Sequence, residues 1–509
     1  MTNHIVAYSR ENGGRVFLLF LLFLIAIYQF VTAGFPAFAI ICFMPLIIPL
    51  IYIAFRWQMI TFWALIFINY FVMFFGKLQL LPYGIPMSMY NELLELLLIG
   101  IALIDLRQTP HFGRLWNLMF LMLLVWFGFC TLEVFNDTCG LGIDVGGWYT
   151  GARMMAIQLL YTSIVFTLYI SDPGKLLKYL RIWAILCLFS YFWTWKQQNF
   201  GFTPAESLWL ETKGRTTHVI NGGTLIRYWS TFNDAACYGC HAAASAITFF
   251  IIAITSKIKR DRIFFLITAL LVTKGMFASG TRTAMFCMIG GFLVFLVLSR
   301  SVKILIPSAI IGGLLFSLLV FTNIGQGNQQ IRRMRSAFDK NDASADVRDI
   351  NQAAIKKYIA DAPWGLGLAV SYDNVPANNK YNKLSKIPPD SEYVFIWVHT
   401  GVIGITTFLI LTAIMFIGAC WVTMFKIKNQ SLMGIGAGLC SAFAAIQLGG
   451  YANQVLMQFP NCLTFYGGLA IVYFLPYIEP GWVELEEKRF AEQKERKRLK
   501  LEKKLASRV

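Results

Sequence analysis

The sequence predicts an all-α fold: a polytopic integral membrane helix bundle of about fourteen transmembrane helices, both termini cytoplasmic, with one large, partly helical external loop. Three observations predict it. Of 509 residues, 57% are hydrophobic and 14% charged, against roughly 45–50% and about 25% in soluble domains. The apolar excess comes in blocks of about 17–22 residues, the helix length that crosses a hydrocarbon layer of ~30 Å. Lys and Arg recur in the short connections on one side of those blocks. Disordered, collagen-like and disulfide-scaffold classes are excluded, as is a cytosolic enzyme. Barrel strands are excluded too, because the blocks are too long for them. The net charge of +17 does not indicate nucleic acid, since the bases lie in short loops rather than along one stripe.

In chain order the spans fall at 16–34, 36–55, 58–76, 88–105, 115–134, 152–171, 177–195, 235–255, 263–280, 284–299, 304–322, 401–424, 431–451 and 461–478. A second span starts at Pro36, directly behind the first, so 16–34 reads as a retained helix rather than a cleaved signal peptide. Arg10 and Arg15, Arg56, Arg107 and Arg114, Lys175, Lys178 and Arg181, the 257–262 cluster, Arg300 and Lys303, and Lys426 and Lys428 all share one side of the alternating spans. The positive-inside rule makes that side cytoplasmic. Cys42, Cys187, Cys287, Cys420 and Cys440 lie inside apolar blocks, where Cys acts as a small hydrophobe. Cys237, Cys240 and His241 have ligand-like spacing but no second pair follows, so no metal site is expected. The chain divides into an N-terminal transmembrane bundle (1–322), a large external loop carrying site residues (323–400), C-terminal transmembrane helices (401–478) and a charged cytoplasmic tail (479–509). From Glu479 onward, seven acids and ten bases mix in a helical segment that suits anionic lipid.

The opposite side has two long segments, about 196–234 and 323–400, and loops of such length usually carry function. The first ends in Arg227-Tyr-Trp-Ser-Thr-Phe-Asn233-Asp234. A short turn, Ser279-Gly-Thr-Arg282-Thr-Ala, brings Arg282 to the same surface. The large loop contains Arg332-Arg-Met-Arg335, Arg348, Ala362-Pro-Trp-Gly-Leu-Gly367, Pro388-Pro-Asp390-Ser-Glu392-Tyr-Val and, at its end, His399-Thr-Gly401-Val-Ile-Gly404. Arginine binds phosphate bidentately and keeps its charge when partly desolvated, so these sites suit a diphosphate at the outer leaflet. The competing reading pairs them with Asp339, Asp342 and Asp346 or with lipid headgroups.

The order of these pieces, across about residues 225–405, resembles the O-antigen ligase / O-antigen polymerase superfamily of bacterial membrane glycosyltransferases. The resemblance implies an enzyme of the cytoplasmic (inner) membrane. It would move glycan from an undecaprenyl-diphosphate-linked donor to an acceptor hydroxyl, on a glycan or lipid A-core, outside that membrane. It implies no cofactor, no nucleotide sugar and no obligatory metal, with membrane lipids and other polysaccharide assembly proteins as further partners. By position, Arg227 and Arg348 correspond to the family's two diphosphate-binding arginines, and Arg282 to its Ser-Arg turn. Ligases of the family usually place a His-Asn where this chain has Asp390, followed by Ser391 and Glu392. That departure favours a polymerase, or a ligase-like transferase with another base.

A sugar hydroxyl needs a base, and a carboxylate serves only if burial or a like charge raises its pKa toward neutrality. Asp390 is the expected base and Glu392 its partner; the competing reading makes Asp390 a helix N-cap behind Pro388-Pro389. Lys274, His399 and Arg335 are expected to support the site. His399 is the alternative base, and otherwise a packing residue. Lys274 lies within a span, where ionisable groups default to function. Glu92, Glu95 and Arg153 near outer span ends read as structural or as part of the same cavity. Trp148, Tyr149, Trp209, Trp229 and Trp397 read as an interfacial belt or as sugar-stacking surfaces. A precursor transporter or flippase, or a non-catalytic partner in polysaccharide synthesis, is the reading from another class, although no internal repeat supports a transporter.

Overall fold

A computed structural model describes residues 13–33, 49–78, 87–105, 111–220, 225–299, 302–327, 329–336, 343–371 and 373–506. It is almost wholly helical. The long helices are α1 (Gly13–Ala33), α2 (Gln58–Lys77), α3 (Met87–Ile104) and α4 (Leu118–Leu132). Next, α5 (Val145–Ala152) runs through a π-helical turn, Arg153–Ile157, into α6 (Gln158–Tyr169). After α7 (Pro173–Phe200) come two short helices, α8 (Pro204–Trp209) and α9 (Arg215–His218), and a two-stranded antiparallel hairpin, β1 (Val219–Ile220) with β2 (Leu225–Ile226). The chain continues through α10 (Ala235–Thr255), α11 (Lys259–Ala278), α12 (Arg282–Leu298), α13 (Val302–Phe321), α14 (Gln329–Arg335), α15 (Ala343–Ile359) and α16 (Asn382–Ser385). It closes with α17 (Glu392–Trp421), α18 (Gln430–Ala452) and α19 (Gly467–Ala506).

Among the described residues, eight helices are long and apolar enough to cross a membrane: α2, α4, α5–α6, α7, α10, α17, α18 and α19 with the turns that extend them. Helices α1, α3, α11, α12 and α13 occupy five more of the expected spans. The expected span 36–55 lies largely outside the described residues, of which 49–55 are helical. Two boundaries move. The span expected at 152–171 starts seven residues earlier, because a π turn carries α5 into α6 without a break. The span expected at 401–424 begins at Glu392, since Gly401 bends the helix rather than starting it.

Helices α10 and α18 are buried on nearly every side. The reason is side-chain size: Ala, Gly, Ser and Cys dominate α10, so its neighbours approach closely. A Cβ on Gly434 would strike Thr255, and one on Gly291 would meet the Ser441 carbonyl at 2.9 Å. His241 in this core bonds Asn461 at 2.9 Å, and no cluster of three metal-ligating side chains occurs among the described residues.

Among the described residues, Arg114, Arg181 and Lys257 of the short basic connections lie at one end of the bundle. There Arg114 donates to the Ser171 carbonyl, and buried Asp261 receives Arg181 at 2.8 Å and Arg489 at 2.6 Å. Lys257 pairs with Glu486 at 2.8 Å, which also accepts from Asn429 and Ser431. These contacts clamp α19 as it continues past Pro476 and Pro480. The two longest connections, 201–234 and 322–391, lie at the other end over their described residues.

Candidate functional site

Residues 201–220 and 225–234 fold into a compact cap at the long-loop end. Thr203 and Glu206 form a reciprocal capping box that starts α8. Burial opposes the charge on Glu206, yet the Thr203 amide, Trp193, Gln197 and the Thr203 hydroxyl hold its carboxyl below the usual range. His218 is locked as a neutral ring: Nδ1 donates toward the Gly214 carbonyl at 3.2 Å while Nε2 accepts the Ala235 amide at 3.1 Å. Burial, with Arg227 and Lys77 nearby, pushes its pKa down to about 3. Lys77, the last residue of α2, donates to the carbonyls of Phe232 and Asn233. Its ammonium stands 3.5 Å above the Trp209 ring and 4.9 Å from that of Trp229, so part of the expected aromatic belt is an internal cation–π stack.

This cap sets Arg227. Its Nη1 donates to the Thr217 carbonyl at 3.0 Å and its Nη2 to Thr281 Oγ1 at 2.9 Å, leaving Nε buried with no partner among the described residues. Burial lowers its pKa; Arg282 and Arg348 lower it further and Asp234 opposes them. Those influences place Arg282 and Arg348 each within electrostatic reach of Arg227. Gly280, at φ +59°, lets the turn between α11 and α12 press against the Arg227 stem. A further arginine joins here from α14: Arg333 Nε donates to the Gly280 carbonyl at 2.6 Å.

Asp390 closes the arrangement. Asn351 on α15 donates to Asp390 Oδ2 at 3.0 Å, and Arg348 lies one helical turn before Asn351 on the same face. On the other flank, Gln454 donates to the Pro389 carbonyl at 2.7 Å and Asn453 to Thr283 at 3.0 Å, beside Arg282. The path Asp390–Asn351–Arg348–Arg227–Thr281–Arg282–Thr283–Asn453–Gln454–Pro389 therefore runs as a closed ring around one patch of the long-loop end. Asp390 does not cap α17. Ser391 does, accepting from the Tyr393 amide at 3.2 Å.

Residues 264–409 match the family model of the O-antigen ligase. Over that stretch the chain is similar to the O-antigen ligase domain. The match covers under a third of the chain, and the superfamily it indicates is that of membrane glycosyltransferases of the O-antigen ligase and polymerase type. No curated protein matches the chain. The matched segment supplies Arg282, Arg333, Arg348 and Asp390. Arg227 comes from outside it and reaches it through Thr281 and Gly280.

Within the matched segment the Ala362–Gly367 motif has a mechanical task. Gly401, at φ +67°, breaks the start of α17, and the loop packs into the break. Leu366 donates to the Val398 carbonyl and Gly367 to the His399 carbonyl, both at 2.9 Å. A Cβ on Gly365 would run into the backbone of His399–Gly401, and one on Gly401 into the Pro363 carbonyl. His399 belongs to this seam: its Nδ1 donates to the Gly367 carbonyl at 3.1 Å, and its ring packs on Phe395.

Glu392 is fully buried and its Oε2 accepts the Leu456 amide at 2.9 Å, tying α17 to the non-helical segment before α19. Its carboxylate thus faces backbone, whereas Asp390 is only half buried beside the ring. Lys274 sits on an exposed face of α11, apart from the ring. Arg335 donates to the Ile324 carbonyl at 2.9 Å, toward α13. The sequence reading missed Lys77, His218 and Asn351, and it quoted Arg333 only within Arg332-Arg-Met-Arg335, with no role of its own.

Proposed function

We propose that the ring transfers glycan from an undecaprenyl-diphosphate-linked donor to an acceptor hydroxyl, on the outer side of the membrane. One observation carries the reading: arginines from three separate segments converge beside a half-buried carboxylate. Arg227, Arg282 and Arg348 hold the diphosphate. Asp390 takes the proton of the acceptor hydroxyl as its oxygen attacks the anomeric carbon. The bond from that carbon to the diphosphate oxygen breaks, and the lipid diphosphate leaves with the electron pair and the new negative charge. Fixed guanidinium groups stabilise that charge; removing one such donor typically costs about 10²–10³ in rate, and a general base contributes about 10²–10⁴.

Glu392, on this reading, holds α17 in place and leaves proton transfer to Asp390. An aspartate where ligases of the family usually carry His-Asn favours polymerisation of lipid-linked repeats over ligation to lipid A-core. The membrane itself, the lipid-linked donor and a glycan acceptor are the partners. The deciding experiment uses purified protein in lipid with an undecaprenyl-diphosphate oligosaccharide. Product is expected from the wild type, and loss of at least roughly 10²-fold from Asp390→Asn. No transfer to any acceptor overturns the enzyme reading in favour of a transporter or assembly partner; normal product from Asp390→Asn removes that residue. Gene deletion separates the two enzyme forms: core bearing a single repeat marks a polymerase, and polymer stranded on its carrier marks a ligase.

A further inference from the structure

Helix α3 presents a polar stripe to α6 that the ring leaves unused. Asn91, Glu92 and Glu95 are buried to 0%, 3% and 0% exposure, and a one-turn spacing puts them on one face. Glu92 lies 3.6 Å from Arg153 Nε and accepts the Tyr149 hydroxyl at 3.3 Å, so its charge has a counter-ion. Glu95 receives only neutral donors, the Thr162 hydroxyl at 3.0 Å and the Gln158 amide, and the one charged group felt nearby is Glu92. An ionised carboxylate alone in such an interior is prohibitively costly, so it is neutralised by a proton, a cationic partner or a metal ion.

Three polar atoms of this stripe have no hydrogen-bond partner among the described residues: both polar atoms of Asn91 and the Gln158 carbonyl oxygen. Asn91 and Gln158 are 0% exposed, and buried polar groups are satisfied in roughly nine cases in ten or more. A proton on Glu95 satisfies one of the two oxygens at most, whereas a small hard cation takes the Asn91 and Gln158 oxygens at once. Helix geometry agrees. Arg153 and Gln158 are five residues apart, a spacing that faces different directions on an α-helix; the π turn Arg153–Ile157 turns both toward α3. Charge fixes the valence. Arg153 and Glu92 cancel, leaving one positive charge to balance Glu95.

We propose that Glu95, Asn91, Gln158 and Thr162 bind a single dehydrated alkali cation between α3 and α6. The cation serves stability, independently of glycan transfer, and joins two helices that carry few other polar links.

The test uses full-length protein in detergent at constant ionic strength, with N-methylglucamine chloride replaced stepwise by NaCl or by KCl. Melting is followed by intrinsic tryptophan fluorescence. The melting temperature is expected to rise by roughly 1–3 °C per tenfold increase in the fitting cation once sites begin to fill, and the two salts show which ion fits. Glu95→Gln is expected to remove that dependence. Asn91→Leu, which keeps the carboxylate, is expected to shift it to at least about tenfold higher concentration and carries the test if Glu95→Gln does not fold. A wild-type melting temperature indifferent to both salts overturns the site and leaves Glu95 a protonated acid.

Discussion

The Arg227 guanidinium spends Nη1 and Nη2 on the Thr217 carbonyl and Thr281, while Nε has no partner among the described residues. A lysine ammonium reaches one of those anchors but not both, and presents a point charge instead of a planar fork. Arg227→Lys is therefore expected to lower transfer by roughly 10²–10³ at unchanged protein level, measured as product in proteoliposomes; wild-type turnover would remove Arg227 from donor binding. His218 sets a stability limit instead. Its pKa of about 3 lies below the ordinary value of 6.5, so below pH 6.5 the unfolded chain binds a proton that the folded chain refuses. The contribution is intact above about pH 6.5 and falls as pH drops toward 3, by about 1.4 kcal/mol per unit. Melting temperatures from pH 7.5 to 4.5 should show that slope and a shallower one for His218→Gln; parallel curves would contradict it. Residue types alone pointed to Arg227, Arg282, Arg348 and Asp390. They were silent on Lys77, which ends a span as a snorkelling lysine would, because its Trp209 partner lies far along the chain.

Spans were legible at the scale of elements because a bilayer demands long apolar runs, and no tertiary contact is needed to see one. What the loop does to α17 was not legible, because it depends on two glycine backbones meeting across the chain. The 362–367 motif fills the bend at Gly401, and Ile355 and Ile359 of α15 pack in one apolar cluster with Leu366 and Val398. Arg348 and Asn351 continue that stripe of α15, so docking of the motif also aims them at the ring. Gly401→Ala places a Cβ against the Pro363 carbonyl at a φ of +67°, a conformation costing about 1–3 kcal/mol for other residues even without the clash. The loop is expected to undock while the bundle stays folded. Limited proteolysis should then cut residues 343–390 faster, and transfer should fall at least roughly tenfold. Unchanged cleavage and transfer would show that this seam positions nothing. Asn351→Leu tests the aim without undocking: it should lower turnover and leave protease resistance as it was.

Among the described residues, the arginine ring and the ion pairs of the short basic connections lie at opposite ends. The ring, the cap and the docked loop lie at one; Arg181, Asp261 and Arg489, Lys257 with Glu486, and the clamped start of the α19 extension lie at the other. A lipid-linked donor on the outer leaflet reaches the ring only if the basic end faces the cytosol, the orientation favoured by lysine and arginine retention in short loops. The native thiols make this measurable. Among the described residues every free cysteine but Cys420 is buried, and Cys420 only half exposed, so background labelling should be low. Asp373 is exposed in the large loop and Lys428 lies in a short basic connection. In spheroplasts, a membrane-impermeant maleimide should label Asp373→Cys directly and Lys428→Cys only after permeabilisation. The reverse pattern would put the arginines on the side where lipid-linked glycans are built rather than polymerised, and the transfer mechanism would lose its substrate.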